Sequence, residues 1–153
     1  MYIVKKIRKK DFKKFHPSGN LGAKLKTVED LMLTKEKIPF INEASTMKVA
    51  LKVIASKKLG TLIVRNNRSD TTGIITDGQI RRVVQKNDRL NSLQVKNVMT
   101  KNPIKVNKDT LAIKALSIMN ENKITSLCVC NLSNKNKTIG IIHIHNILEE
   151  GIS

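Results

Sequence analysis

The 153-residue chain is predicted to adopt an α/β (α+β) fold of two similar repeats packed as a pseudo-twofold pair. Three observations carry the expectation. The order of segments recurs about 67 residues further along, and self-similarity at a fixed period marks a repeated structural unit. Within each copy, the apolar spacing changes from helical to strand-like. Apolar residues make up 40% of the chain, and a chain of this size buries roughly 68–70% of its unfolded surface, enough for a core without disulfide or metal staples.

The first copy opens on Val28-Glu29-Asp30-Leu31-Met32 and the second on Val95-Lys96-Asn97-Val98-Met99, two Val-x-x-h-Met segments in which h is apolar. Pro39 and Pro103 follow, then Ile41 and Val106 as short leading strands. Residues 46–57 place Met47, Ala50, Leu51 and Ile54 on one helical face, and 110–120 do the same through Leu111, Ala115, Ile118 and Met119. That spacing predicts two amphipathic helices, with Ser45 and Asp109 as N-caps. The runs over 61–64 and 126–129 predict buried strands. Polar turns over 66–72 and 131–138 lead to second strands at 73–75 and 140–142, each a Gly-Ile-Ile. Closing helices are expected over 77–84 and 146–150. Each repeat therefore reads helix–strand–strand–helix behind a short leading strand. The expected boundaries are a basic segment over 1–25 and repeats over 26–90 and 91–153. A unit of about 60 residues is marginal alone, so the two should pack on each other.

Lys and Arg number 29 against 12 Asp and Glu, a net charge of +17. Lys5, Lys6, Arg8, Lys9, Lys10, Lys13 and Lys14 crowd the start of the chain. Such an excess suits nucleic acid or an anionic surface. Aromatic residues are only 3%, with no Trp, so a base-stacking platform is missing and nucleic acid is disfavoured. Cys128 and Cys130 are two residues apart and face one side of a strand, a poor geometry for bridging each other. With His143 and His145 on a neighbouring predicted strand they form a conceivable zinc set. As small buried thiols they are simply core residues, and no metal is expected. No run approaches the roughly 18 apolar residues of a membrane span, and the N-terminus has no secretory apolar core. A cytoplasmic protein is expected.

The duplicated order resembles a tandem pair of CBS domains, a Bateman module, over 26–152. A narrower match precedes it. Phe15-His16-Pro17-Ser18-Gly19-Asn20-Leu21-Gly22-Ala23-Lys24-Leu25 is similar to the segment joining the sugar isomerase (SIS) domain to the CBS domains in KpsF/GutQ family arabinose 5-phosphate isomerases. Thr76-Asp77-Gly78-x-x-Arg81-Arg82 and His143-x-His145 are similar to that family as well. In the family the isomerase domain precedes this point and carries catalysis. Such a domain cannot fit ahead of His16, so the chain is read as the regulatory half, lacking the SIS domain.

The resemblance implies a nucleotide-type ligand between the repeats, held where a Gly-h-h-Thr-x-x-Asp element ends a strand and starts a helix. Thr76 matches the hydroxyl, Asp77 follows it, and Gln79 stands at the ribose-binding Asp position. In the second repeat His143 replaces the Thr and Asn146 the Asp. A hydroxyl and free N–H groups at a helix N-terminus suit phosphate, and a guanidinium neutralises it. Arg81 and Arg82 point about 100° apart, so one of them can face the cleft; Arg81 is taken as a site residue. His143 and His145 are expected to line the cleft and hydrogen-bond a sugar or phosphate. The same residues also fit a capping box, with Thr76 as N-cap and Gln79 at N3.

The expected function is a regulatory, ligand-sensing CBS pair without catalysis of its own or a required cofactor. Its ligand would be a nucleotide or a nucleotide sugar such as a CMP-linked sugar acid. A homodimer or higher homo-oligomer is expected, in lipopolysaccharide or capsule sugar synthesis. Two alternatives stand beside it: a split isomerase to whose SIS domain the chain supplies His16 in trans, a general base suited to aldose–ketose isomerisation, and a basic nucleic-acid or anionic-surface binder.

Overall fold

A computed structural model describes residues 22, 25–86 and 89–153. The basic cluster over 5–14 and His16 lie outside them. The elements in order are α1 (Val28–Leu31), β1 (Phe40–Asn42), α2 (Met47–Lys57), β2 (Thr61–Arg65), β3 (Thr71–Thr76), α3 (Asp77–Lys86), α4 (Val95–Val98), β4 (Thr100–Lys101), β5 (Lys105–Asn107), α5 (Ala112–Asn122), β6 (Ser126–Asn131), β7 (Asn134–His143) and α6 (Ile144–Leu148). Short 3-10 turns fall at Lys35–Lys37 and Leu90–Ser92. Among the described residues no helix is long and apolar enough to cross a membrane.

The strands form two sheets, β1-β2-β3-β4 and β5-β6-β7. In each, the leading strand pairs parallel with the first long strand, which pairs antiparallel with the second. The helices α2 and α5 bury Met47, Ala50 and Ile54, and Ala112, Ala115, Leu116 and Met119. One core lies under each sheet. A third cluster joins Ile63 and Cys128, which are equivalent in the two repeats, to Ile38 and Ile141. This is the seam between the sheets. The two cysteines are free and buried, and burial pushes the Cys128 thiol up to about 12.

The Val-x-x-h-Met segments cross over. Val28 is buried in the core of the second repeat, with Leu31 and Met32 against it; Val95 is buried in the core of the first, with Val98 and Met99. The backbone contacts come in equivalent pairs. The Val28 N–H donates to the Thr110 carbonyl at 2.7 Å and the Val95 N–H to the Ser45 carbonyl at 2.8 Å. The Ala112 N–H donates to the Lys26 carbonyl and the Met47 N–H to the Leu93 carbonyl, both at 2.8 Å. These crossing carbonyls satisfy a first-turn donor of α5 and of α2, which corrects the expected caps. Thr46, not Ser45, is the N-cap of α2, and its Oγ1 accepts from Val49. Leu111, not Asp109, precedes α5 and offers no side-chain cap.

The crossing is locked by duplicated glycines. A Cβ on Gly73 would stand 2.5 Å from Met99 Sδ and 2.8 Å from the Thr100 carbonyl oxygen. A Cβ on Gly140 would stand 3.0 Å from the Leu33 carbonyl oxygen and from Met32 Cγ. Each repeated methionine therefore lies in a gap left by the repeated glycine of the other repeat.

Two further expectations are corrected. The polar stretch over 134–138 is strand, not turn: β7 starts at Asn134, and Asn131 pairs with it across a two-residue connection, Leu132-Ser133. α6 starts at Ile144, two residues early, because His143 caps it.

Candidate ligand-binding cleft

A cleft of about 440 Å³ opens where β3 runs into α3 and faces the second repeat, within the range of about 300–1,000 Å³ usual for small-molecule sites. One wall carries Thr61, Ile74, Thr76, Gly78, Gln79 and Arg82; the other carries Thr100, Asn102, Pro103, Ile104, Lys123, Ile124, Thr125 and Ser126. No carboxylate is among these residues.

Thr76 and Gln79 form the capping box that their spacing allows. The Thr76 N–H donates to Gln79 Oε1 at 2.9 Å, and the Gln79 N–H donates to Thr76 Oγ1 at 3.3 Å. Gln79 Nε2 then donates to Thr100 Oγ1 across the cleft. The amide oxygen and one of the two amide N–H groups are thereby occupied. The Gly78 N–H, second in α3, has no intrahelical carbonyl to meet. Arg82 lies one turn beyond it, with Nη1 3.5 Å from where a Cβ on Gly78 would be. Arg82 and Lys123 form no ion pair among the described residues.

Ser126 is 6% exposed, and its Oγ is buried without a hydrogen-bond partner. An unsatisfied buried hydroxyl costs about 1–3 kcal/mol. It lies at the start of β6, as its equivalent Thr61 does at the start of β2, and both line the cleft.

The expected site residues divide. Thr76 and Gln79 are in the cleft. Arg82 lines it and Arg81 does not: Arg82 is four residues from Gly78 and shares its face, whereas Arg81 is turned about 100° away. Asp77 faces Gly60, where a Cβ would stand 2.8 Å from Asp77 Oδ2, and is absent from the cleft wall. His143, His145 and Asn146 occupy the matching junction of the second repeat rather than this cleft. There the His143 N–H donates to Asn146 Oδ1 at 2.9 Å, the His145 N–H donates to His143 Nδ1 at 3.1 Å, and the imidazoles stack at 4.8 Å. His143 pairs with Ser126 in the sheet, whereas Cys128 pairs with Ile141. Among the described residues no group of His, Cys, Asp or Glu could hold a metal ion.

Lys123, Asn102 and Ser126 are cleft residues that sequence reasoning missed. Ser126 is equivalent to Thr61 and Lys123 to Lys58, but no motif marked either pair as a site. Lys123 is placed by helix geometry, as the left-handed C-cap of α5 with φ 56°.

Two sheets joined along a seam, exchanged leading segments and a cleft between the halves define a paired-repeat module. The chain belongs to the CBS domain family, whose model matches residues 28–86 and 95–153. It is 36% identical over 143 residues to the arabinose 5-phosphate isomerase KdsD of Salmonella typhimurium, a match covering 93% of this chain and 43% of that protein. The chain spans less than half the length of the curated relatives it matches. Its fold is that of CBSX2, solved in complex with AMP: TM-score 0.70, 23% identity, 82% of this chain and 95% of the other. It is also that of the CBS domain of a bacterial CNNM/CorC family Mg2+ transporter, solved in complex with ATP: TM-score 0.73, 15% identity, 90% and 95%.

Proposed function

We propose that the chain is the regulatory, ligand-sensing CBS pair of a sugar-phosphate (arabinose 5-phosphate) isomerase-like protein, and that it takes up a nucleotide or nucleotide sugar between its repeats. The observation that carries this reading is the Ser126 hydroxyl, buried and unpartnered in a cleft that also presents Arg82 and Lys123. A bound anion with hydroxyl or phosphate oxygens would satisfy all three. The AMP and ATP complexes of the two fold relatives support the ligand class, and the similarity to KdsD supports the enzyme setting. The proposed surroundings are the cytoplasm and sugar synthesis for lipopolysaccharide or capsule, with the chain acting as a homo-oligomer and catalysis residing elsewhere. A thermal-shift panel of AMP, ATP, CMP and CMP-linked sugar acids tests the reading. A rise in Tm with at least one of them is expected, because a ligand that binds only the native state stabilises it. No shift with any of them refutes it.

A further inference from the structure

Resting on that ligand-binding reading, we infer that the chain holds one ligand, in the cleft beside α3, and grips it by its anionic group rather than by the hydroxyls of a ribose. A sugar diol is held well by a carboxylate, which only accepts hydrogen bonds and can take one from each hydroxyl. The cleft wall has no carboxylate. Gln79, which stands where the resemblance puts the ribose-binding Asp, already accepts from the Thr76 N–H and hydroxyl at its oxygen and donates one N–H to Thr100, so it has no free acceptor for a ribose hydroxyl. What the cleft offers is donors: Arg82 and Lys123, and the Gly78 N–H at the positive end of a ten-residue helix, with the unpartnered Ser126 hydroxyl buried in the wall behind them. Two cations and a helix N-terminus on the wall of one cleft, with no carboxylate among its lining residues, select negative charge.

The matching junction of the second repeat differs where it matters. Sixty-seven residues on, Glu149 stands for Arg82 and His145 for Gly78. A carboxylate replaces the cation, and a ring stacked on His143 occupies the place where α3 has no side chain. The helix there, α6, has five residues. Lys58, the equivalent of Lys123, remains on that side, so a polyanion meets two cations on one side of the pseudo-twofold axis and a lysine beside a carboxylate on the other.

Isothermal titration of the full chain with ATP, 2′-deoxy-ATP, CMP, 2′-deoxy-CMP, adenosine and pyrophosphate tests this. Each ribonucleotide that binds should do so within about twofold of its 2′-deoxy form, and at one per chain. Adenosine should bind at least about tenfold more weakly than ATP, a difference of about 1.4 kcal/mol, and pyrophosphate should compete. Arg82→Gln should weaken binding by about tenfold, the value of one charged hydrogen bond, whereas Arg81→Gln, also exposed on α3, should leave it unchanged. A ribose preference above tenfold, adenosine as tight as ATP, two nucleotides per chain, or equal effects of the two arginine variants overturns the inference and leaves the ligand-binding reading standing. Silence from all six compounds overturns both.

Discussion

His143 caps α6 with an unprotonated ring nitrogen, since Nδ1 must accept the His145 N–H. Burial, and then the neighbouring His145, hold its pKa below the ordinary 6.5. Because the folded value is depressed, the unfolded state binds more protons between the two values. The contribution of this cap is therefore complete above about pH 6.5 and is lost as pH falls through the folded value. Denaturant midpoints should fall between pH 7.5 and pH 5.5. The variant His143→Thr replaces the imidazole with a hydroxyl that caps at either pH, and should flatten that part of the profile. An unchanged pH dependence would remove His143 from the explanation. On the other side of the axis Thr76 does the capping with such a hydroxyl. The exchange of Thr for His was visible in the sequence; its consequence for pH was not, because it depends on which ring nitrogen meets which N–H.

At the scale of elements, the fit of methionine to glycine decides how the two repeats interlock. Gly73→Ala should destabilise the chain by about 1–3 kcal/mol, the usual effect of overpacking, as read from urea denaturation. Met99→Ala should not rescue it fully, since the Thr100 carbonyl oxygen would still lie 2.8 Å from the new Cβ. Full rescue would mean that only the side chain is in the way. Both partners were legible in the sequence as repeated motifs, and so were the two main helices: Met47, Ala50 and Ile54 of α2 and Ala115 and Met119 of α5 are buried as their spacing implies, whereas Leu111 is exposed ahead of α5. Which methionine meets which glycine was not legible, because periodicity inside a segment carries no information about which repeat it docks on. The polar start of β7 was hidden for another reason: Asn134-Lys135-Asn136-Lys137 shows no apolar alternation, and this part is exposed for most of its length. In the cleft the duplicated strand–helix junction could be found by motif. Ser126 and Lys123 come to it from the other repeat, at the start of β6 and the end of α5, and periodicity within either element does not announce that.

For the molecule as a whole, the pseudo-twofold axis passes where Thr71 meets Thr138, equivalent residues whose hydroxyls share a hydrogen bond. The residues before them, Asp70 and Lys137, are also equivalent and pair with each other at 2.8 Å. Lys137 also donates to the Arg68 carbonyl. At a true twofold axis these positions would be identical and would repel; two fused repeats are free to differ. The hydrogen bond from Lys137 holds the Asp70 carboxyl below its usual range, so the pair contributes above about pH 3.8 and fades as acid protonates Asp70. Asp70→Lys should lower Tm by opposing two lysines on the axis. The reversed pair, Asp70→Lys with Lys137→Asp, should recover most of the loss in a double-mutant cycle. Simple additivity of the two changes would show that the residues do not interact.

The crossed leading segments also decide how a mechanical load would travel. Lys26 is bound to the second repeat through its carbonyl to Ala112 at 2.8 Å and through its ammonium to Glu150 at 3.0 Å, and Thr27 bridges to Leu111. Tension applied on the N-terminal side of Lys26 therefore enters the second repeat and bypasses the first. Lys123, Thr125 and Ser126 move with the loaded body, and Arg82 stays with the unloaded one. The cleft is lined from both bodies, so a molecule seated in it would tie the loaded repeat to the unloaded one.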